Sequence, residues 1–198
     1  MSSSELLKGL HNGAWLDAEV FAPVQYAVDG VIPEGSTLLV GAPKIGKSWF
    51  VLELALARAV GGMALGAIPV SSAPTLYLAL EDGDRRMQTR CRKLLKGSAI
   101  PAAFEYMTRV EPEKVVDTIK AWVAEHKGQS PLVILDTLGK VMPPALPGES
   151  SYQRDYRVGS ALKAIADSEP GMSLIINHHD RKAVSDDFVD AVCGRVVL

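Results

Sequence analysis

The chain has 198 residues, 47% of them apolar and 22% charged, with a formal net charge of −2. That is enough for the core of one domain, and it excludes a global electrostatic attraction to nucleic acid, so any DNA contact must use a local basic patch. No apolar run is long enough to span a bilayer, and the N-terminus Met1-Ser2-Ser3-Ser4-Glu5 lacks a signal-peptide pattern. The two cysteines, Cys91 and Cys193, lie far apart and outside any metal-binding spacing. They read as free thiols suited to a reducing cytosol, so a cytoplasmic location without a membrane partner is expected.

Residues 1–35 read as an arm leading into a core over residues 36–198. Leu6, Leu7 and Leu10 can form a short helix, and Trp15, Val20 and Phe21 are expected to pack onto the main body. Ile32-Pro33-Glu34-Gly35 reads as a turn. Strands and helices then alternate. A strand over residues 37–40 leads into a glycine-containing loop, and a helix over 49–60 follows, ended by Gly61-Gly62. A second apolar strand, 75–80, stops at Glu81-Asp82-Gly83. A basic helix covers 85–96, a short strand 104–110 and a helix 112–126. Leu132-Val133-Ile134-Leu135 is a buried strand ending at Asp136. A Pro/Gly-rich loop covers 142–150 and a helix 158–166. The last clear strand, 172–176, ends at Asn177-His178-His179. Near-continuous apolar strands separated by helices imply an α/β fold, a mainly parallel sheet covered by helices on both faces, in three layers.

The loop Gly41-Ala42-Pro43-Lys44-Ile45-Gly46-Lys47-Ser48 fits the phosphate-loop pattern G-x-x-x-x-G-K-[ST] at every fixed position, between a strand and a helix that opens at Trp49. Its glycines let successive N–H groups point at phosphate oxygens, and the helix N-terminus adds partial positive charge there. Residues 41–49 are therefore the candidate nucleotide-binding segment. Lys47 is expected to reach the β- and γ-phosphates, and the Ser48 hydroxyl to ligate Mg²⁺. Ligands of open parallel sheets bind beyond the carboxyl ends of the strands. Three further strand ends carry chemistry here. Asp136, after four apolar residues, matches the Walker B pattern and can hold Mg²⁺, usually through water, with Thr137 as its orienting neighbour. Glu81 is the candidate general base that orients and polarises an attacking water, with a solvated strand end as the alternative. His178, His179 or Asn177 can hydrogen-bond the γ-phosphate, or the histidines simply cap the strand.

With these residues the chain resembles the RecA-like ATPases, closest to the AAA-type, RepA-like branch of plasmid and phage replication, kin to hexameric replicative helicases. The resemblance rests on Ile32-Pro33-Glu34-Gly35, residues 41–48, Leu78-Ala79-Leu80-Glu81-Asp82, Leu135-Asp136-Thr137-Leu138 and His178-His179, and covers roughly residues 13–194. It implies ATP hydrolysis in a ring of subunits, a hexamer in the replicative helicases, on single-stranded DNA. It also implies that the His178 strand lies between the phosphate-loop strand and the Asp136 strand. Carried over, Lys47 and Ser48 serve phosphate and Mg²⁺, Glu81 is the base, Asp136 serves the metal and His178 is the sensor. Relatives continue past Val192-Cys193-Gly194 into a segment that supplies an arginine finger. This chain stops at Arg195-Val196-Val197-Leu198, so a truncated core is expected, in which nucleotide binding is safer than turnover.

The resemblance places DNA-facing loops at residues 140–152 and 180–190. The latter mixes Arg181 and Lys182 with four aspartates, as a solvated loop also can. In the basic helix, Arg86, Arg90 and Lys93 share one face, expected to be solvated, with a phosphate or subunit contact as the alternative. Two other readings compete with the helicase-like ATPase. One is a nucleotide-binding adaptor or inactive remnant; the other is a small P-loop kinase, for which no lid is evident.

Overall fold

The computed structural model describes residues 3–179. The helices are α1 (Ser3–Leu6), α2 (Gly13–Ala18), α3 (Lys47–Val60), α4 (Asp84–Leu94), α5 (Val115–Glu125) and α6 (Ser151–Ser168). The strands are β1 (Tyr26–Val28), β2 (Ile32–Pro33), β3 (Gly35–Gly41), β4 (Met63–Ala64), β5 (Ile68–Pro69), β6 (Thr75–Ala79), β7 (Phe104–Met107), β8 (Leu132–Asp136) and β9 (Ser173–His179). Five strands form the central sheet in the order β3-β9-β8-β6-β7, and every pairing within it is parallel. The pairs β1-β2 and β4-β5 are small antiparallel ribbons. The expected position of the His178 strand, between those of the phosphate loop and Asp136, is the observed one.

Strand alternation divides the core into two layers. Tyr77, Ala79, Leu132, Ile134 and Ile175 face one side and pack with Val51, Leu52, Leu54 and Ala55 of α3 and with Met87 and Cys91 of α4. Leu76, Leu78, Val133, Leu135, Leu174 and Ile176 face the other side and meet Ile119 and Trp122 of α5 and Leu162 and Ile165 of α6. Both faces are apolar along the whole strand, which is why β6 and β8 read as continuous apolar runs. Cys91 is a free, buried thiol; Cys193 lies outside the described residues.

Helix boundaries follow local chemistry. α6 begins at Ser151, a full seven residues before the expected start at Val158. Its first two turns are polar and hide from apolar periodicity. The start is set instead by a capping box: the Gln153 N–H donates to the Ser150 hydroxyl at 3.2 Å, and the Ser150 N–H donates to Gln153 Oε1 at 2.9 Å. The strand expected over 104–110 ends at Met107. A 3₁₀ turn, Pro112–Lys114, precedes α5. The C-cap of α3 is Gly61 at φ 74°, with its N–H donating to Ala57 O at 2.9 Å. A Cβ there would meet Ser72 backbone N at 2.9 Å, in a backbone conformation that L side chains rarely adopt. Gly61→Ala is therefore expected to destabilise the fold by about 1–3 kcal/mol. A chemical unfolding curve superimposable on the parent's would refute that.

The expectation that Trp15, Val20 and Phe21 pack onto the body is not met. They are 40%, 91% and 63% exposed, and no residue of α2 is buried. Trp15 instead stacks on His11 with centroids 3.7 Å apart and meets Phe21 edge-on at 6.4 Å. Farther along, Ala27, Val28 and Ile32 are buried in the α3 side of the core. Arg58, buried within α3, ties that helix to two connecting segments by donating to Ser71 O at 2.7 Å and Ser130 O at 3.2 Å.

Candidate nucleotide site at the carboxyl edge of the sheet

Register places the candidate residues in a row. Leu39 and Asn177 are partners, as are Asn177 and Asp136, and Asp136 and Ala79. The loop after β3, the end of β9, Asp136 and the turn carrying Glu81 therefore share one edge of the sheet, at its topological switch point.

The loop 41–46 is exposed except at its two glycines, and it turns through two positive-φ residues, Lys44 at 68° and Gly46 at 101°. Ala42, Pro43 and Ile45 form its outer rim. Gly46 caps α3 without a side-chain hydrogen bond, and the first turn of that helix carries no acidic residue. An N-terminus of this kind presents N–H groups and a positive potential with no competing carboxylate, which suits an anion. Lys47 is buried, and its Nζ donates to Gly41 O at 2.6 Å and Ala42 O at 2.9 Å. The ammonium thus sits inside the curl of the loop. Ser48 follows, half-buried, in the first turn.

Asp136 is 4% exposed, and both carboxylate oxygens are engaged. Tyr77 Oη donates to Oδ2 at 2.6 Å, and Asn177 Nδ2 donates to Oδ1 at 2.6 Å. The Tyr77 hydroxyl also lies 3.4 Å from Ser48 O, so it bridges the start of α3 and the Asp136 carboxylate. Burial, and then the adjacent Asp136 charge, push the Tyr77 hydroxyl well above its ordinary pKa of 10.0, so it remains a neutral donor. Thr137 does not orient Asp136 as expected; its hydroxyl donates to Asn177 O at 2.8 Å and locks β8 to β9. The peptide bond Asp136-Thr137 is cis.

Alternation separates the histidine from its neighbour. Asn177 lies on the face of β9 shared with Ile175, Asp136 and Tyr77, whereas His178 lies on the opposite face, in register with Val40. The residue in contact with Asp136 is Asn177. Glu81 is exposed just beyond β6, where the Leu80 N–H donates to Asp136 O at 2.9 Å. Asp82, its neighbour, has a side chain only 6% exposed. Both oxygens of that carboxylate are held from α4, by Arg86 Nε at 3.0 Å and by Arg90 Nη1. The expectation of a solvated basic helix face is thus overturned at Arg90, which is 4% exposed and stacks over Trp49 with Cζ 4.8 Å from the ring centroid.

Sequence reading missed Tyr77 as part of this site, named Asn177 only as a γ-phosphate contact and not as the partner of Asp136, and took Arg90 for a surface cation. The signal for Tyr77 was a hydroxyl inside an otherwise apolar buried strand, which must find a partner. Tyr77→Phe is expected to cost about 1–3 kcal/mol of stability, because Asp136 loses a buried donor. Equal unfolding free energies for the variant and the parent would refute this.

The oxygen donors fit a hard cation. A Ser48 hydroxyl and an oriented, buried Asp136 carboxylate suit Mg²⁺, and an acid-free helix N-terminus with a buried lysine suits the phosphates it accompanies. Among the described residues there is no cluster of three or more His, Cys, Asp or Glu side chains for a softer metal. Nor is any described helix long and apolar enough to cross a membrane.

The parallel order, the loop after β3 and Asp136 at the end of β8 define a RecA-like P-loop ATPase fold. The chain belongs to the AAA domain family, whose model matches residues 4–185. Among solved structures it is similar to a DnaB-like replicative helicase, with a TM-score of 0.54 at 14% identity, over 74% of this chain and 39% of that one. A second similar structure is an ATPase domain, with a TM-score of 0.55 at 13% identity, over 75% of this chain and 58% of that one. The chain thus spans less than two thirds of either solved chain. No curated sequence relative matches it.

Proposed function

We propose that this chain binds Mg-ATP on residues 41–49 and hydrolyses it, as a helicase-like motor of DNA replication or recombination acting on single-stranded DNA in a ring of like subunits. The observation that carries the reading is the buried Lys47 ammonium inside the glycine loop, one strand away from the Asn177-Asp136-Tyr77 cluster. In this reading the N–H groups of the loop and of the first turn of α3 bind the phosphates, and Lys47 exchanges loop carbonyls for β- and γ-phosphate oxygens. Ser48 and Asp136 would hold Mg²⁺, which would supply positive charge against the phosphates. Glu81 accepts a hydrogen bond from the attacking water and orients it in line with the departing diphosphate. His178 on the far face of β9 reports the γ-phosphate to the chain that follows. Residues 1–35 act as a lead-in whose β1 and β2 dock on the core, and residues 36–198 as the ATPase core.

The DNA-facing segment of this reading is the loop of residues 140–152, which opens at Lys140; its companion, 180–190, and Arg195 lie outside the described residues. The testing experiment is ATP hydrolysis by the purified chain with and without single-stranded DNA, with Lys47→Ala as the blank. Turnover stimulated by DNA supports the motor. Tight ATP binding with no turnover under either condition would select a nucleotide-gated adaptor instead, and phosphate transfer to a small acceptor would select a kinase.

A further inference from the structure

Arg90 is the least expected group near the nucleotide site. It sits at the end of the second turn of a helix rich in exposed cations, yet its side chain is only 5% exposed. One nitrogen, Nη1, pairs with Asp82 Oδ2, while Nε and Nη2 are buried without a hydrogen-bond partner among the described residues. The Arg90 Cζ lies over the Trp49 ring, 4.8 Å from its centroid, and Lys93 Nζ approaches the same ring at 5.5 Å. A buried arginine with two unsatisfied N–H edges is costly, and the π-face of an indole offsets only part of that cost. Such a group stays buried where the placement it enforces matters.

Its two partners are the residues immediately after the two that do the chemistry in the reading above. Trp49 follows Ser48, and Asp82 follows Glu81. We infer that Arg90 and Asp82 are positioning residues for hydrolysis: the Asp82–Arg90–Trp49 stack fixes the turn that carries Glu81 against the helix start that carries Ser48. The turn itself is tight, with the Asp82 N–H donating to Ala79 O at 3.0 Å. The register of β6 with β8 ends at Ala79, and the Leu80 N–H donates to Asp136 O at 2.9 Å just before the turn. Clamping both oxygens of Asp82 from α4, by Arg86 and Arg90, restrains the backbone of its neighbour. A general base must stay within hydrogen-bond reach of its water, and misplacement by about 1 Å can cost ~10²-fold in rate. Lysine in place of Arg90 keeps the charge but loses the planar fork and the stack.

This inference rests on hydrolysis with Glu81 as base, so the experiment separates the two. The full chain is compared with Arg90→Ala, Arg90→Lys, Asp82→Asn, Glu81→Gln and the Arg90→Ala/Glu81→Gln double variant. Steady-state turnover, the Mg-ATP dissociation constant by calorimetry and the thermal midpoint are measured for each. Arg90→Ala is expected to lower kcat by ~10²-fold with the dissociation constant little changed, and Arg90→Lys to recover part of the loss. The double variant is expected to be no slower than Glu81→Gln alone, because Arg90 acts through Glu81. Parent-like kcat in Arg90→Ala overturns the inference. So does a double variant much slower than Glu81→Gln, or a loss carried wholly by the dissociation constant. Should Arg90→Ala fail to fold, Arg90→Lys and Asp82→Asn decide: parent-like kcat in both overturns it. A parent chain without turnover, or Glu81→Gln at full rate, overturns the hydrolysis reading beneath, whereas loss in Glu81→Gln with none in the Arg90 variants overturns the positioning role alone.

Discussion

Replacing Lys47 by alanine is expected to weaken Mg-ATP binding by ~10²–10⁴-fold and to abolish turnover. The ammonium is buried among loop carbonyls, 2.6 Å from Gly41 O and 2.9 Å from Ala42 O, where water cannot replace it easily. On the bound phosphates it would make two charge-assisted hydrogen bonds, each about 1.5–3 kcal/mol, so the loss is about 3–6 kcal/mol, or ~10²–10⁴-fold in affinity. The remaining N–H groups of the loop hold the anion without a full positive charge. The variant should fold, because α3 begins on Gly46 and keeps its buried apolar side chains. Calorimetric titration with Mg-ATP checks the expectation, with the thermal midpoint as the control for folding. Parent-like affinity in a folded Lys47→Ala chain would remove the nucleotide from this loop.

Glu81→Gln is expected to separate binding from chemistry. The amide is nearly isosteric with the carboxylate and lies exposed beyond β6, outside both core clusters. Affinity for Mg-ATP and stability should therefore hardly change. Turnover should fall ~10²–10⁴-fold, the usual contribution of a general base. Single-turnover hydrolysis measured beside equilibrium binding gives the two numbers. Unchanged hydrolysis would assign the water to another group, and a joint loss of binding and hydrolysis would make Glu81 a ligand-holding residue.

These two residues were legible in the chain for the same reason: each sits at a fixed offset from a local signal. The glycine-lysine-serine spacing needs only the loop's own backbone and the helix that follows, and Glu81 and Asp136 are the polar stops of apolar strands. The fold class was legible too, because strands buried on both faces must be apolar throughout, and helices between them fix a parallel, covered sheet. Where the pattern turned polar, it faded. The first two turns of α6 show no apolar stripe, although Ser150 and Gln153 spelled a cap, and the arm's apolar residues promised a packing that the described structure does not make.

What the chain alone could not disclose depends on contacts between residues far apart in sequence. Tyr77 and Asp136 are separated by 59 positions, and Asp136 and Asn177 by 41. Only the order and register of β6, β8 and β9 place the three on one face, where a one-residue slip would have presented His178 and Leu135 instead. Arg90 looked like one more cation on a basic helix, and its burial follows from how α4 lies against α3, with Asp82 and Trp49 closing over it. Periodicity and spacing are local properties and survive in one dimension. Which polar groups satisfy one another in the interior is settled by packing, because a buried donor or charge takes whatever partner the fold brings within reach.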